Sequence, residues 1–379
     1  MPDRVGLRVG IDATPLLGQP TGVGAFVAGA MGELARDPDL GLTAYALSLR
    51  GGRGLGAHLP AGVNAAKLPL PANVLLAAWA LADVPPIEWW TGPVDVIHAT
   101  NFVSPPSRRA AEVVTVHDLT PLRHPELAAP ATRPFPALVR RALARGAMVH
   151  TPSAYVKAEV VELLGAHPDR VRSIHHGVPS GVVAGASPPP SKGPVRGPYV
   201  LALGTVEPRK ALPLLVHAFD LVAADHPDLS LVVAGPKGWG EDALSDARAR
   251  AHHGDRVVRL GWQDPPAAAS LLAGAQVLAF PSLYEGFGFP PLQAMAAGVP
   301  VVASRGGALP EVLGDGAQLV NQSDADSLAE GLALVLGDDE LRATLVARGR
   351  RRAADFSWTA CARGLAELYR DAVETRSGR

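Results

Sequence analysis

The chain has 379 residues, of which 47% are hydrophobic and 19% are charged, and its formal net charge is −1. This composition is typical of a globular protein and argues against disorder. The lack of a basic excess argues against nucleic acid as a partner. Cys361 is the single cysteine, so an internal disulfide is excluded, which fits a reducing cytoplasm. At about 100–200 residues per domain, the length predicts two domains.

The apolar segments argue against a secretion signal and against a membrane span. Asp12 and Pro15 interrupt the apolar residues near the start of the chain. The longest apolar stretch, "ANVLLAAWALADVPP", is broken by Asp83 and Pro85, and is shorter than the roughly 20 residues that a bilayer crossing needs. We therefore expect a cytoplasmic protein without a membrane span, and contact with the inner face of the membrane stays open.

Short apolar runs alternate with helical patterns along the whole chain. The runs are "RVGID", "DVIHAT" and "EVVTVHD" in the first half, and "YVLALGT", "LSLVVAGP", "AQVLAFPS" and "VPVVAS" in the second. Their continuous apolarity predicts strands that are buried on both faces, as in a parallel sheet. The helical patterns between them include "GAFVAGAMGELARD", "PFPALVRRALARGA" and "ALPLLVHAFDLVAADHP". This alternation predicts an α/β fold of the doubly wound type.

One segment interrupts the alternation and divides the chain. Residues 187–198, "SPPPSKGPVRGP", contain five prolines and show no periodicity, which is typical of a semi-rigid linker. The sequence therefore predicts two Rossmann-like domains, 1–188 and 199–358, that face each other across a cleft. A last helix follows "FSW", and its position leaves open which domain it joins. Ligands of such sheets bind at the carboxyl ends of the strands, and a cleft between domains is the default site.

In the first half, two glycines follow the first predicted strand. Gly22 and Gly24 open a helical pattern, where a nest of backbone amides could face an anion. The dinucleotide fingerprint G-x-G-x-x-G fails at Val27, and the connection from Asp12 is too long for its tight turn. A ligand-facing loop and a plain turn both remain open.

Polar residues also follow the next two predicted strands. His98 and Asn101 lie in and after "DVIHAT", and His117 ends "VVTVH". A lone histidine is more often a packing or capping residue than a catalyst. Two histidines at strand ends in one half of the chain nevertheless favour a functional site. Their spacing matches no metal-binding pattern.

In the second half, Arg209 and Lys210 follow the strand that ends at Gly204. A guanidinium and an ammonium at a helix start, on the ligand edge of a sheet, suit a phosphate group. The alternative is a solvated pair of charges.

The stretch "PSLYEGFGFPPLQAMAAGVPVVAS" places Glu285 beside a glycine-rich turn and Gln293 in the helix that follows. A helix start favours a bound anion, so a carboxylate there is unexpected if only phosphate binds. The carboxylate of Glu285 could accept hydrogen bonds from sugar hydroxyls. The alternative is that it caps the turn or forms a salt bridge with it.

This stretch resembles the E-x7-E region of retaining GT-B glycosyltransferases of family 4. The segments "GTVEPRK", "AGPKGW", "LGWQD", "VHDL" with "HPE", and the closing "FSW" resemble the same family in the same order, over nearly the whole chain. The resemblance implies the GT-B fold, with an acceptor-binding N-terminal domain and a donor-binding C-terminal domain. It also implies that the last helix, 359–376, crosses back onto the N-terminal domain.

The resemblance implies a role for each matching residue. Arg209 and Lys210 would grip the donor diphosphate, Glu285 would contact hydroxyls of the donor sugar, and His117 would lie near the reacting sugar. Gln293 occupies the position of the second glutamate, which holds the ribose, and is a departure from the pattern. The other expected donor contacts are Gly204, Gly286, Phe287, Gly288, Phe289 and Leu292. Gly22, Gly24, His98 and Asn101 would belong to the acceptor or phosphate loop.

The implied reaction is metal-independent transfer of a hexose from a nucleotide sugar with retention, without a cofactor. Arg209 and Lys210 would neutralise the leaving diphosphate, and the leaving phosphate would help to deprotonate the acceptor in a front-side displacement. GDP-mannose is the first choice of donor, with UDP-linked and other sugars open. The acceptor is undefined: a saccharide, a lipid-linked sugar or a small molecule.

Three alternatives remain open from the sequence. They are an NAD-dependent oxidoreductase, a GT-B-like nucleotide-binding protein without transferase activity, which Gln293 favours, and an epimerase. A basic run, namely Arg133, Arg140, Arg141 and Arg145, is expected to be a solvated helix face, with an anionic membrane or lipid phosphate as the alternative.

Overall fold

A computed structural model of the chain describes residues 6–19, 21–48, 51–66, 72–179, 195 and 197–378. The described residues form two compact units. The first takes those within Met1–Gly177 together with those within Phe356–Arg379, and the second takes those within Val178–Asp355. Of the linker predicted at 187–198, all but residues 195, 197 and 198 lie outside the described residues.

Each unit is built around a parallel sheet. Among its described residues, the first unit has seven strands in the order β3-β2-β1-β4-β5-β6-β7, and the second has six in the order β10-β9-β8-β11-β12-β13. The first sheet comprises β1 (Leu7–Asp12), β2 (Leu40–Tyr45), β3 (Asn64–Ala65), β4 (Val96–Ala99), β5 (Ala111–Thr115), β6 (Met148–Thr151) and β7 (Val171–Ser173). The second comprises β8 (Tyr199–Leu203), β9 (Ser230–Ala234), β10 (Val257–Gly261), β11 (Val277–Phe280), β12 (Val301–Ser304) and β13 (Gln318–Val320).

Helices connect the strands in both units, as the alternating pattern predicts. They are α1 (Gly22–Leu34), α2 (Ala72–Leu81), α3 (Glu88–Thr91), α4 (Thr120–Arg123), α5 (Phe135–Arg145), α6 (Ala154–Leu164), α7 (Leu212–Ala223), α8 (Glu241–Arg250), α9 (Pro265–Gly274), α10 (Phe289–Ala297), α11 (Leu309–Leu313), α12 (Ala325–Gly337), α13 (Asp339–Ala354) and α14 (Trp358–Ser377). The doubly wound α/β fold predicted from the sequence is confirmed. In both sheets the strand order reverses beside the first strand of the unit, which is where such folds bind ligands.

The apolar runs form the cores, because their strands are covered on both faces. Strands β4, β5, β11 and β12 are buried at every residue. In the second unit, α7 packs Leu215, Val216 and Phe219 into the cluster that contains Val200 and Val233 of the sheet. Such a helix face, with full burial of each side chain, stabilises the fold by about 1.5–3 kcal/mol per large residue.

The helix α14 belongs to the first unit, and Trp358 of the "FSW" motif fixes its start. Ser357 caps the helix by accepting a hydrogen bond from the backbone of Ala360. The Trp358 ring lies against Gly29 of α1 and against Gly177, so closely that a Cβ at either glycine would come within 2.6 Å of it. Any side chain at these two glycines would therefore displace the tryptophan.

Candidate active site

Two cations lie at the carboxyl end of β8, on the turn that leads into α7. Gly204 directly follows the strand with a φ of +146°, a conformation that favours glycine. Arg209 and Lys210 end a short 3₁₀ turn, and Ala211 then takes a φ of +49° to direct the chain into α7. A non-glycine residue with positive φ costs of order 1 kcal/mol or more, and such residues gather at functional turns. The turn therefore fixes the two cations at the ligand edge of the second sheet.

Glu285 lies between these cations, on the turn after β11. Its carboxylate is 2.6 Å from Nζ of Lys210 and 2.7 Å from a terminal nitrogen of Arg209. The Arg209 guanidinium also donates to the Tyr284 carbonyl at 2.7 Å and pairs with Glu207 at 2.6 Å. Glu207, Arg209, Lys210 and Glu285 thus form one charge cluster, in which two acids balance two bases.

The charge cluster is largely buried, so its charges are weakly screened. Burial alone would raise the pKa of Glu285, but the charges of Arg209 and Lys210 outweigh it and lower this pKa to about 2. Burial lowers the pKa of Lys210, which Glu285 opposes. The Lys210 ammonium also lies 4.5 Å from the centre of the Phe280 ring, a cation–π contact that holds it in place. Glu285 is therefore ionised, and both cations are oriented before any ligand arrives.

The glycine-rich turn after Glu285 brings the start of α10 to the same edge of the sheet. Gly288 precedes the helix with a φ of +108°, and the rings of Phe287 and Phe289 make an edge-to-face contact, with their centres 5.3 Å apart. Leu292 is fully buried, so it packs beneath this turn and has no surface to offer a ligand. Gln293 is half-buried on α10, and its amide makes no hydrogen bond to another described residue.

Gly286 is buried beside Glu285, on the same turn. The turn packs against a second glycine pair: a Cβ at Gly307 would lie 2.3 Å from the Glu285 carbonyl, and one at Gly306 would lie 2.2 Å from that of Ser282. The Glu285 carbonyl accepts a hydrogen bond from the backbone of Ala308 at 2.8 Å. The backbone of Glu285 is thus fixed by close packing, and the carboxylate position follows from it.

In the first unit, His117 lies at the carboxyl end of β5 with one ring nitrogen committed. Its Nε2 donates to the Thr100 carbonyl at 2.8 Å, because a carbonyl can only accept. Burial lowers the pKa of His117, so the ring is neutral and its Nδ1 carries a lone pair. The structure therefore offers an acceptor at this nitrogen.

His98 does not fit the role of a loop residue that contacts a ligand. It is fully buried, with Nδ1 at 2.7 Å from the Tyr369 hydroxyl and Nε2 at 2.8 Å from Thr115 Oγ1. Thr115 also lies 2.9 Å from Nδ1 of His150, whose Nε2 is 2.9 Å from the Ile174 carbonyl. Both ring nitrogens of His98 are therefore occupied, which corrects the expectation from its place at a strand end.

The direction of this hydrogen-bond chain follows from its last acceptor. The Ile174 carbonyl can only accept, so His150 donates through Nε2 and accepts through Nδ1 when it is neutral. Burial lowers the pKa of both histidines, to about 3 for His150, which keeps them neutral. Thr115 then donates to His150 and accepts from His98, and Tyr369 of α14 donates to His98. The chain ties α14 to three strands of the first sheet.

The glycine loop of the first unit is only partly available to a ligand. The backbone N–H of Gly24 donates to the Thr21 side chain, which caps α1, and a Cβ at Gly24 would lie 2.8 Å from the Pro15 carbonyl. Gly24 is therefore needed for packing and for the cap, a correction to its expected place in a phosphate loop. Gly22 is exposed at the helix start, and Asn101 is half-buried after β4.

Sequence reasoning missed two acids at these sheet edges. Glu207 holds Arg209, and the signal for it was its place two residues before the arginine in "GTVEPRK". Asp12 ends β1 and is buried; burial raises its pKa to about 6, although Thr14 opposes this by donating to the carboxylate. A buried carboxyl at a strand end is a candidate for function.

Of the four arginines in the basic run, Arg133 is exposed before α5 and the other three lie on α5, where each makes contacts within the protein. Arg145 pairs with Glu112 at 2.6 Å and with Asp83 at 3.2 Å, and Arg141 pairs with the same aspartate. Arg140 donates to the Leu163 carbonyl. These contacts argue against the membrane alternative for this helix.

The described residues contain neither a membrane-crossing helix nor a metal-binding cluster. No helix within the described ranges is long and apolar enough to cross a membrane. The same part of the chain contains no group of three or more His, Cys, Asp or Glu residues that could hold a metal ion.

Comparison with known proteins gives matches over both halves of the chain. A family model described as "Glycosyltransferase Family 4" matches residues 21–181, and one described as "Glycosyl transferases group 1" matches residues 187–352. O-antigen chain mannosyltransferase B of Escherichia coli is 30% identical over 305 residues, covering 77% of this chain and 76% of that protein. D-inositol 3-phosphate glycosyltransferase of Thermobispora bispora is 31% identical over 314 residues, covering 75% and 72%.

Among solved structures, the complex of Anabaena HepE with UDP-glucose has a TM-score of 0.68 at 18% identity. It covers 98% of this chain and 100% of that one, and this likeness concerns the fold. The two family models and the relative with 30% identity show that this protein belongs to glycosyltransferase family 4, and it is a hexosyltransferase with the GT-B fold.

Proposed function

We propose that the protein transfers a hexose from a nucleoside diphosphate sugar, with retention and without a metal ion. The observation that carries this proposal is the charge cluster, which fixes an arginine and a lysine at the ligand edge of the second sheet. A leaving diphosphate needs two or more positive charges close to it, which a divalent cation supplies in other enzymes. Arg209 and Lys210 supply them here.

In this proposal the second unit binds the donor and the first binds the acceptor. The bond between the anomeric carbon and the diphosphate oxygen breaks, and the acceptor oxygen forms its bond on the same face. The acceptor proton passes to an oxygen of the leaving phosphate, so that atoms and charge balance. Glu285 positions the cations and accepts from donor hydroxyls, and Nδ1 of His117 accepts from a hydroxyl near the reacting carbon.

Gly204, Gly286, Phe287, Gly288 and Phe289 would shape the donor subsite through the backbone. Leu292 would do so only as packing beneath it. Gln293 would hold one ribose hydroxyl with its single amide oxygen, since its amide is not committed to another described residue. Gly22 and Asn101 remain the candidates for acceptor contact in the first unit.

Mannose is the proposed hexose, with GDP-mannose as the donor, because a relative that aligns over three quarters of this chain is named a mannosyltransferase. UDP-glucose is the competing choice, because it is the ligand of a protein with the same fold. Membership of the glycosyltransferase family decides against the oxidoreductase alternative.

The experiment is a turnover assay with radiolabelled GDP-mannose and UDP-glucose against saccharide, lipid-linked and small-molecule acceptors. Labelled product from GDP-mannose that forms in the presence of EDTA, with the anomeric configuration of the donor by NMR, would support the proposal. An inverted product would refute retention, and activity that depends on an added divalent cation would refute metal independence.

A further inference from the structure

A second cavity, unrelated to the charge cluster, lies in the first unit at the amino ends of its strands. It has a volume of about 700 Å³ and lies beside the starts of β1, β4 and β5, where Arg8, Asp95 and Ala111 contribute to its wall. The carboxyl ends of these strands, where His117 lies, are at the opposite edge of the sheet. A volume of this size suits a ligand of several hundred daltons.

The cationic part of the cavity wall is a turn that an acid holds in place. One oxygen of Glu88 accepts from the Ser107 hydroxyl at 2.6 Å and from the backbone N–H groups of Arg108 and Arg109 at 2.9 and 3.0 Å. Ser107 in turn accepts from the backbone of Ala110 at 2.7 Å. These bonds fix the turn that carries both arginine side chains.

The arginines of this turn are not neutralised. No carboxylate of the described residues pairs with Arg108 or Arg109, and both side chains are exposed. Arg376 of α14 joins them by donating to the Arg108 carbonyl at 2.9 Å. By contrast, Arg8, which also lines the cavity, is already paired with Asp95 at 2.7 Å. Counting Glu88 as −1 and the three arginines as +3, the site carries an excess of two positive charges.

The wall also contains a buried acceptor and an exposed aromatic ring. The second carboxylate oxygen of Glu88 is buried, so a ligand in the cavity does not reach it, and it makes no hydrogen bond to another described residue. Trp89 is 63% exposed beside it, and its indole face suits the apolar face of a sugar ring.

We propose that this cavity binds the phosphate group of a hydroxyl-bearing ligand, at a site separate from the one that performs transfer. Arg108, Arg109 and Arg376 bind the phosphate, Glu88 holds the turn that carries two of these arginines, and Trp89 packs on the ligand body. The same chemistry is present in a soluble sugar phosphate and in the headgroup of an anionic glycerophospholipid.

The test uses the full chain with two probes, mannose 6-phosphate in solution and phosphatidylcholine vesicles with or without phosphatidylglycerol. Binding is measured by titration calorimetry and by vesicle sedimentation. The variant Arg108→Gln with Arg109→Gln should weaken binding at least about tenfold, since it removes two charge-assisted hydrogen bonds to the phosphate. The matched control, Arg351→Gln with Arg363→Gln, removes two exposed arginines elsewhere and should bind normally.

A third variant separates this site from the charge cluster. Arg209→Gln with Lys210→Gln should keep the binding of either probe, even if the proposed transfer reaction is wrong. If mannose 6-phosphate binds and this binding is weakened in Arg108→Gln with Arg109→Gln, the ligand is a soluble phosphate. If only the vesicles that contain phosphatidylglycerol bind, with the same dependence on these arginines, the ligand is a lipid. Either outcome supports the site. Trp89→Ala should bring the affinity for mannose 6-phosphate down to that for inorganic phosphate.

The proposal is overturned if neither probe binds. It is also overturned if binding survives in Arg108→Gln with Arg109→Gln, or if it is lost equally in the matched control. Loss in Arg209→Gln with Lys210→Gln alone would place the phosphate in the charge cluster, and would overturn it as well.

Discussion

Replacing Glu285 by glutamine removes the negative charge that both cations of the charge cluster share, and keeps the shape of the side chain. Lys210 then loses its carboxylate at 2.6 Å, and Arg209 retains Glu207 alone. Removing one partner of a buried ion pair costs about 3–5 kcal/mol, because the other charge is left uncompensated. We expect the free energy of unfolding of the unliganded protein to fall by about 3 kcal/mol, measured by urea denaturation.

The same variant should bind nucleoside diphosphates more tightly. A carboxylate about 5 Å from a phosphate oxygen repels it by about 3 kcal/mol at an effective dielectric constant of about 20. Without Glu285 this repulsion is absent, so the dissociation constants of GDP or UDP should fall at least about tenfold in calorimetry. Turnover should nevertheless fall, with a loss of at least about 2–3 kcal/mol in transition-state stabilisation, because the donor sugar loses its acceptor.

Glu207→Gln is the matched control, since it removes a half-buried carboxylate that holds Arg209 but does not pair with Lys210. It should change diphosphate affinity in the same direction and by less, and leave contacts to the sugar in place. A folded Glu285→Gln protein with weaker diphosphate binding, or with near-normal turnover, would refute the reasoning.

Three further outcomes follow from the site and from the buried hydrogen-bond chain. Arg209→Ala with Lys210→Ala should weaken binding of the nucleoside diphosphate far more than that of the nucleoside, measured by calorimetry; equal losses would contradict a diphosphate contact. Gln293→Glu should change donor affinity and leave turnover at saturating donor intact. A large loss of that turnover would show that the amide of Gln293 is itself needed for the reaction. Burial lowers the pKa of His98 and His150 below the unfolded value of about 6.5, so their contribution to stability is full above that pH and is lost as the pH falls. Between pH 6.5 and 5, urea denaturation should show a loss of up to about 2 kcal/mol per histidine, and His150→Gln should reduce this slope. The contribution of Glu285 to the free energy of unfolding is lost at lower pH than that of the histidines. Its pKa is lowered to about 2 in the folded protein, so this contribution declines only as the pH falls below about 4.5.

The sequence predicted four of the five described strands that are buried at every residue, namely β4, β5, β11 and β12, and missed β6. Runs such as those of β4 and β11 are apolar at nearly every position, because helices cover both faces of the sheet. Six of the described strands were not predicted, namely β2, β3, β6, β7, β10 and β13. Strand β7 has three residues, and four of the five residues of β10 are only half-buried, so neither produces a continuous apolar run.

The site was predictable in its location and less so in its contacts. The position after a strand end indicated Arg209, Lys210 and Glu285, since parallel strands bring their carboxyl ends to one edge. The ion pairs among them join residues about 75 positions apart, and no local pattern reports such a pairing. For His98 the position at a strand end was misleading. The residue is buried, and hydrogen bonds to Tyr369 of α14 and to Thr115 occupy both of its ring nitrogens.

The charge cluster gives a reason for an acid at a site built for an anion. Two cations fixed side by side repel each other, and burial makes that repulsion costly unless a carboxylate lies between them. Glu285 supplies it before the donor arrives, and its pKa of about 2 keeps it ionised. In the proposed reaction a diphosphate takes over the cations, and the same carboxylate is released to accept from sugar hydroxyls. One side chain would then hold the empty site together and afterwards contact the donor sugar, so its removal should strengthen product binding and weaken turnover together.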